Sequence, residues 1–272
     1  MEEPMFDTTL DPPTTHRFDC SIEPESRELH ASGRRWRIHG ANGTLTAWTW
    51  LPLNAPKGPE VIKGTAVTLP IQRDEVEHLL VAFQRDNLMP LSKVVGEQMC
   101  PLRGVVEQTT ALVDGLQIME LRRFVSDALL QPLAREFFWR VPASRGHHHS
   151  YPGGLAKHSL EVATMLASSH GLPPDDRELG IAFALLHDYG KIQGANGSQR
   201  MHVHHEQAGL RLLAPLLAEL IAFSPDLGLK MQELLGGPRA PRDTPYPLAI
   251  GKVVRALDQL SCEAERRTMD VF

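Results

Sequence analysis

Two hydrophobic rhythms divide this chain. Over residues 27–70, apolar and polar positions alternate in short segments, the period of a half-buried strand. RRWRIHG (34–40) and TLTAWTW (44–50) alternate in this way, with Trp36, Ile38, Leu45, Ala47, Trp48 and Trp50 as the large or apolar positions. Asn42-Gly43 between them reads as the turn of a β-hairpin. Val61 to Leu69 supplies another strand, with Gly64 as a candidate bulge. From Ile71 onward the apolar residues recur at helical spacing. Gln72 to Asp86 places Val76, Leu79, Leu80 and Phe83 on one face. Glu120 to Arg140 is strongly amphipathic, and Pro132 should kink or split it. After a loop from Val141 to Gly153, helices are expected over Leu155–His170, Asp175–Ile192, Met201–Phe223, Pro225–Leu235 and Pro247–Arg267. Gly171 and Gly194 follow helix ends, as C-terminal caps do.

The order of rhythms predicts an α+β chain: a small N-terminal β-barrel module, OB-like in its short strands, followed by an all-helical bundle. Four regions follow. Residues 1–26 carry seven acidic residues and one basic residue, with Pro4, Pro12, Pro13 and Pro24, and are expected to form a flexible acidic tail. Residues 27–70 form the β module, 71–119 a helical connector, and 120–272 the bundle.

Composition narrows the function classes. Hydrophobic residues make up 42% and charged residues 22% of 272, ordinary for a globular protein. No apolar run approaches the ~20 residues of a membrane helix, so no membrane partner is expected. MEEPMFDTTLDPP has no basic segment followed by an apolar one, and no secretory leader is expected. Cys20, Cys100 and Cys262 are far apart and odd in number, which points to a reducing cytoplasm rather than a disulfide framework. A net charge of -5 argues against coating nucleic acid by bulk charge.

Local charge differs. Arg27, Arg34, Arg35, Arg37, Lys57 and Lys63 outnumber Glu28 and Glu60 in the β module. Cations interleaved with Trp36, Trp48 and Trp50 suit a single-stranded nucleic-acid groove, where bases stack on rings and phosphates meet Arg and Lys. The same tryptophans also suit a barrel core. In the bundle, Arg122, Arg123, Arg135, Arg140 and Arg145 either guide a strand or form a solvated face.

The histidines carry the chemistry. Of 13, nine fall between His147 and His205, where an even spread would put about three. His187-Asp188 is an adjacent pair near a helix C-terminus, able to place an imidazole and a carboxylate on one divalent ion. His158 from the preceding helix and Asp258 from a later one complete a set of four. Asp188 shares a helical face with Ile181, Ala184 and Leu185, and Asp258 shares one with Val254 and Cys262. Both carboxylates therefore point among apolar neighbours, which is costly unless they are paired or bind a metal. Two His and two Asp suit Mn²⁺, Fe²⁺, Ni²⁺, Zn²⁺ or Mg²⁺.

The pattern H…HD…D resembles the HD superfamily of metal-dependent phosphohydrolases. HDxGK lies 29 residues after His158 and 70 residues before Asp258. The run HHxYxGGLxxH (His148 to His158) looks like the branch in which an OB fold precedes a 3′–5′ exoribonuclease HD domain. Similar wording occurs in the HD domain of TraI-type proteins of conjugative elements. The resemblance implies that His158, His187, Asp188 and Asp258 are metal ligands. It implies that Lys191 contacts a phosphate oxygen or the nucleophile, that His205 serves a second ion in two-metal relatives, and that His148 and His149 line the pocket. One departure stands out: no histidine follows His205, so the further His-His pair of two-metal relatives is missing. One ion per chain is expected, unless His148, His149, His202 or His204 substitute.

The expected reaction is hydrolysis of a phosphodiester. A divalent ion would activate water and polarise a phosphoryl oxygen, Lys191 would meet developing charge, and His148, His149 or His205 would protonate the leaving oxygen. The leading expectation is a nuclease on single-stranded RNA or DNA, 3′–5′ exonuclease-like. The alternatives are a nucleic-acid- or protein-binding HD module of a mobile element with a weakened site, and a small-nucleotide phosphohydrolase. Whether the chain is a homo-oligomer stays open.

Overall fold

The structure is a computed structural model that describes residues 14–25, 33–53, 61–72, 76–144, 146, 148–195, 205–237 and 248–269. Arg27, Lys57, Arg145, His147, His202 and His204 lie outside the described residues.

Five strands come first: β1 (His16–Pro24), β2 (Arg34–Gly40), β3 (Gly43–Thr49), β4 (Ile62–Gln72) and β5 (Val76–Arg85). β2 and β3 form the expected hairpin, though it turns at Ala41-Asn42, with Gly40 paired to Gly43. β1 lies antiparallel between β2 and β4, β5 lies antiparallel to β4, and a short parallel pairing of β3 with β5 closes the order β1-β2-β3-β5-β4 on itself. Closure leaves no unpaired edge. Inside are Cys20, Ile22, Trp36, Ile38, Ala47, Ile62, Ala66 and Leu80.

The β module is thus longer at both ends than residues 27–70. Part of the expected acidic tail is β1: its alternation puts Cys20 and Ile22 in the core, while Asp19 accepts a hydrogen bond from Thr65 Oγ1 at 2.8 Å and Glu23 pairs with His39 at 3.1 Å. Its acidic composition hid that pattern. The expected helix over 72–86 is strand β5. Its short apolar run fits either period, and β3 and β4 each present an edge that only a strand can pair. Gly64 is not the bulge either, because the register irregularity sits at Val67/Thr68. A Cβ at Gly64 would stand 2.2 Å from the Gln84 carbonyl oxygen, so glycine lets β5 approach.

The helical part comprises α1 (Val105–Asp114), α2 (Met119–Leu130), α3 (Gly154–Ala167), α4 (Pro174–Leu186), α5 (Lys191–Ala195), α6 (His205–Phe223), α7 (Pro225–Leu235) and α8 (Ala249–Met269). The chain leaves α2 at Gln131, the extended residue before Pro132, and makes a π-helical turn over Ala134–Phe138. The single helix expected over 175–192 is interrupted at 187–190. A core running from Leu91 through Leu121, Leu155 and Leu185 to Val254 holds the bundle together. No helix among the described residues is long and apolar enough to cross a membrane.

Buried polar contacts join barrel to bundle. Lys63 of β4, 3% exposed, lies 3.0 Å from Asp127 Oδ1 and donates to Ser126 Oγ at 3.0 Å. Arg135, expected either to guide a strand or to lie on a solvated face, is buried and donates to Ser21 Oγ and to the Leu130 carbonyl. Removing one partner of a buried pair typically costs ~3–5 kcal/mol. Lys63→Ala should therefore lower unfolding stability by about 3 kcal/mol, and Lys63→Met combined with Asp127→Leu should recover most of it. A loss below ~0.5 kcal/mol in denaturant unfolding, the range of an ordinary surface substitution, would show that the pair does not hold the two parts together.

Candidate functional site

Four helical segments converge on one carboxylate. His187 and Asp188 occupy the turn that ends α4, His158 projects from α3, Asp258 from α8, and His205 starts α6. Asp188 is only 4% exposed. Its Oδ2 lies 3.4 Å from His187 Nε2 and 3.7 Å from His158 Nε2, and it accepts from Lys191 Nζ. Its Oδ1 lies 3.1 Å from His205 Nε2. Asp258 Oδ1 is 3.0 Å from His158 Nε2 and 3.9 Å from His187 Nε2. His187 and Asp188 sit in the turn over 187–190 between α4 and α5, and Lys191 opens α5 at the i,i+3 spacing at which helical side chains meet. Glycine is needed in that turn. A Cβ at Gly190 would stand 1.8 Å from the His205 carbonyl oxygen and 2.5 Å from Gly209 N, so bare backbone seats His205 over Asp188.

The ring orientations are informative. His187 Nδ1 lies 2.8 Å from the Ala184 carbonyl, an acceptor only, so Nδ1 carries a proton and Nε2 is the nitrogen turned toward the carboxylates. Among the described residues no well-directed hydrogen bond reaches the buried Nε2 of His187 or of His158, whose polar neighbours are the carboxylate oxygens of Asp188 and Asp258. Unpaired buried nitrogens beside two carboxylates form a donor set that could hold a divalent metal. His158, His187 and Asp188 offer ligand atoms within 4.8 Å of one another. His148, His158 and Cys262 form a second such grouping against the first.

Charge follows the same geometry. Burial alone would raise the Asp188 carboxyl, but His187, Lys191 and His205 outweigh it and hold it well below the usual carboxylate range. Burial likewise acts against Asp258, and contacts with His158 and His187 bring it below its ordinary value. His205 goes the other way: burial lowers it, and Asp188 more than offsets that, leaving it raised. Burial, then the charges of His158, Lys191 and His149, push His148 down to about 4. Burial and the neighbouring Asp258 push the Cys262 thiol up to about 12.

The structure thus brings His158, His187, Asp188, Asp258, Lys191 and His205 together. It separates the three histidines expected to act as leaving-group acids. His205 is partly exposed on the open side of Asp188. His148 is half-buried, and its burial and neighbouring positive charges favour the neutral ring. His149 is buried, with Nε2 2.9 Å from Glu161 Oε2 and Nδ1 against Glu265. Both of its nitrogens face carboxylates, of Glu161 and of Glu265. Sequence reasoning passes over Glu161 and Glu265. The available signal was their helical spacing, Glu161 one turn after His158 and Glu265 two turns after Asp258.

The tryptophan set divides too. Trp36 is 1% exposed in the barrel core and cannot stack on a base. Trp48 is half-buried with the Arg35 guanidinium 5.6 Å from its ring centre. Trp50, past the end of β3, is 66% exposed. Arg34 is half-buried. Arg35 pairs with Glu25 at 3.3 Å and Arg37 with Glu23 at 3.4 Å. Glu23 of β1 and Glu25 just past its end therefore offset cations that looked unopposed along residues 27–70.

Parts of this chain resemble known proteins. Residues 155–258 match the family model of the HD domain, and residues 114–172 match the TraI_2 model, described as "Putative helicase". The 3'-5' exoribonuclease YhaM of Bacillus velezensis is 26% identical over 136 residues, 50% of this chain and 43% of that protein. The protein of the same name from Bacillus pumilus is 28% identical over 112 residues, 41% of this chain and 35% of that protein. That of Bacillus subtilis is 28% identical over 99 residues, 36% and 32% of the two chains. The chain therefore spans less than half the length of the curated relatives it matches. No solved structure matches it.

Asp188 and Asp258 both lie below their ordinary value. The stability they contribute is fully present above the unfolded carboxylate pKa of about 4 and is lost as pH falls through their lower folded values. Metal-free protein should destabilise progressively below about pH 4, and Asp188→Asn should flatten that part of the profile. An unchanged acid slope in the variant, measured by denaturant unfolding at several pH values, would contradict this assignment of charge.

Proposed function

We propose that this chain, whose residues 155–258 match the HD domain, is a metal-dependent phosphodiesterase acting on single-stranded nucleic acid, 3′–5′ exonuclease-like. One observation carries the reading. His158 and His187 present unpaired, buried Nε2 atoms to Asp188 and Asp258 at the meeting point of α3, α4 and α8. Two imidazoles and two carboxylates suit one borderline-hard divalent ion, such as Mn²⁺, Fe²⁺, Ni²⁺, Zn²⁺ or Mg²⁺. When bound, such an ion lowers the pKa of a coordinated water and polarises a phosphoryl oxygen.

The chain's own residues supply the rest. His158, His187, Asp188 and Asp258 hold the ion. Lys191, beside Asp188 Oδ2, places a positive charge where phosphoryl oxygens gain charge. His205, on Asp188 Oδ1 and partly exposed, is the proton donor to the leaving oxygen. The five-stranded closed barrel is OB-like, and it offers Trp50, with the Trp48–Arg35 pair beside it on adjoining strands, as a stacking surface for the strand. The named relatives are 3'-5' exoribonucleases, which supports RNA and attack from the 3′ end. The free Cys20, Cys100 and Cys262 suit a reducing cytoplasm.

A docking module of a conjugative element is the second reading, favoured by the TraI_2 match over the loop that carries His148 and His149. Turnover separates the two. Labelled single-stranded RNA should shorten from its 3′ end with Mn²⁺ present, and Asp188→Ala should abolish this while helical content stays intact. Trp50→Ala should weaken oligonucleotide binding roughly tenfold, since one stacked base is worth ~1–3 kcal/mol, and leave turnover of a small chromogenic phosphodiester unchanged. Binding without turnover in the wild-type protein would favour the docking module. Equal loss of both activities in a destabilised Trp50→Ala protein would mean that the ring serves packing.

A further inference from the structure

His158 is the most deeply placed of the ligand residues, with no exposed surface. Whatever sits behind it decides which nitrogen faces the carboxylates. Its Nδ1 is 3.2 Å from Ser261 Oγ on α8. Ser261 Oγ donates to Glu161 Oε2 at 2.9 Å. Glu161, one turn after His158 on α3, also receives His149 Nε2 at 2.9 Å on that same oxygen and Lys157 Nζ at 3.1 Å on the other. His149 is in turn tied to α8, since its backbone N–H donates to Glu265 Oε2. It holds a left-handed backbone conformation (φ 47°), uncommon outside glycine, which brings its ring under α3 and α8.

These contacts have a definite proton logic. Glu161 is a carboxylate and accepts only. Burial works against its charge, and hydrogen bonds from His149 and Ser261 more than reverse that, holding it at about 2. The Ser261 hydroxyl proton is committed to Glu161, so toward His158 the hydroxyl can only accept. His158 must therefore carry a proton on Nδ1, so that Nε2, 3.0 Å from Asp258 Oδ1 and 3.7 Å from Asp188 Oδ2, is the nitrogen left to take a metal. We propose that Ser261 and Glu161 form a positioning relay that fixes the tautomer and ring orientation of His158, and that His149 anchors the relay from the loop before α3. The proposal rests on the metal-centre reading and adds residues that touch no ion. It also gives His149 a role beside Glu161 and Glu265. Hydrogen-bond partners behind a ligand histidine typically matter 10–100-fold in metal affinity.

The test uses the full chain, first without metal and then titrated with Mn²⁺. Nitrogen NMR of the histidine rings should show His158 protonated at Nδ1 in the wild-type protein. Ser261→Ala and Glu161→Gln should each give a mixture of tautomers, and Ser261→Thr, which keeps the hydroxyl, should retain the wild-type form. Mn²⁺ affinity should fall about 10–100-fold in Ser261→Ala and recover in Ser261→Thr, while the metal-free melting temperature of Ser261→Ala stays near wild type. A contact that merely packs α3 on α8 would move the melting temperature and leave the tautomer alone. An unchanged tautomer and unchanged Mn²⁺ affinity in Ser261→Ala would overturn the relay. If the wild-type protein takes up no Mn²⁺, the metal-centre reading fails, and the tautomer pattern still decides whether the relay exists.

Discussion

Everything around the site depends on a buried carboxylate that needs company. Asp188 sits at the end of α4 with almost no exposed surface, and an isolated charge there would cost several kcal/mol. Its two oxygens are met by side chains from different elements: His158 from α3, His187 and Lys191 from its own turn and the next helix, and His205 from α6. Surrounding Asp188 with His205 goes together with glycine at 190, which lets the backbone of α6 press against that turn. Local backbone chemistry and site chemistry are here one constraint.

The same logic extends outward. Asp258 is brought in by α8, which also delivers Ser261 and Glu265 one and two turns later, so a single helix face serves both the ligands and their supports. The loop before α3 closes the pocket from the other side through His148 and His149. The barrel is attached through Lys63 and Arg135, two buried cations satisfied by bundle and barrel oxygens. A strand held on Trp50 would thus be presented by a module fixed to the bundle by directional contacts rather than by a plain linker.

How much of this was legible in the sequence varies with the kind of signal. The convergence of His158, His187, Asp188 and Asp258 was legible because histidines and carboxylates at helical phase among apolar residues have few other uses. The bundle was legible from its long periodic segments. The barrel was legible in kind and misjudged in extent. β1 looked like an acidic tail because pairing partners for Asp19 and Glu23 lie far along the chain, and β5 looked helical because a short apolar run fits both periods. Trp36 could not be told from Trp50 by composition, since alternation places one ring inside only once the register with β1 and β3 is known. Glu161 and Ser261 carry no motif. Their importance comes from which atom donates to which, and that exists only in three dimensions.

The central claim is that one divalent ion sits between His158, His187, Asp188 and Asp258. Anomalous diffraction from crystals grown with Mn²⁺ tests it most directly. The account predicts a single strong peak per chain, within ~2.0–2.3 Å of His158 Nε2, His187 Nε2 and a carboxylate oxygen of each aspartate, as expected for nitrogen and oxygen ligands. Two full peaks, or one peak held by His148 and Cys262 away from Asp188, would contradict it.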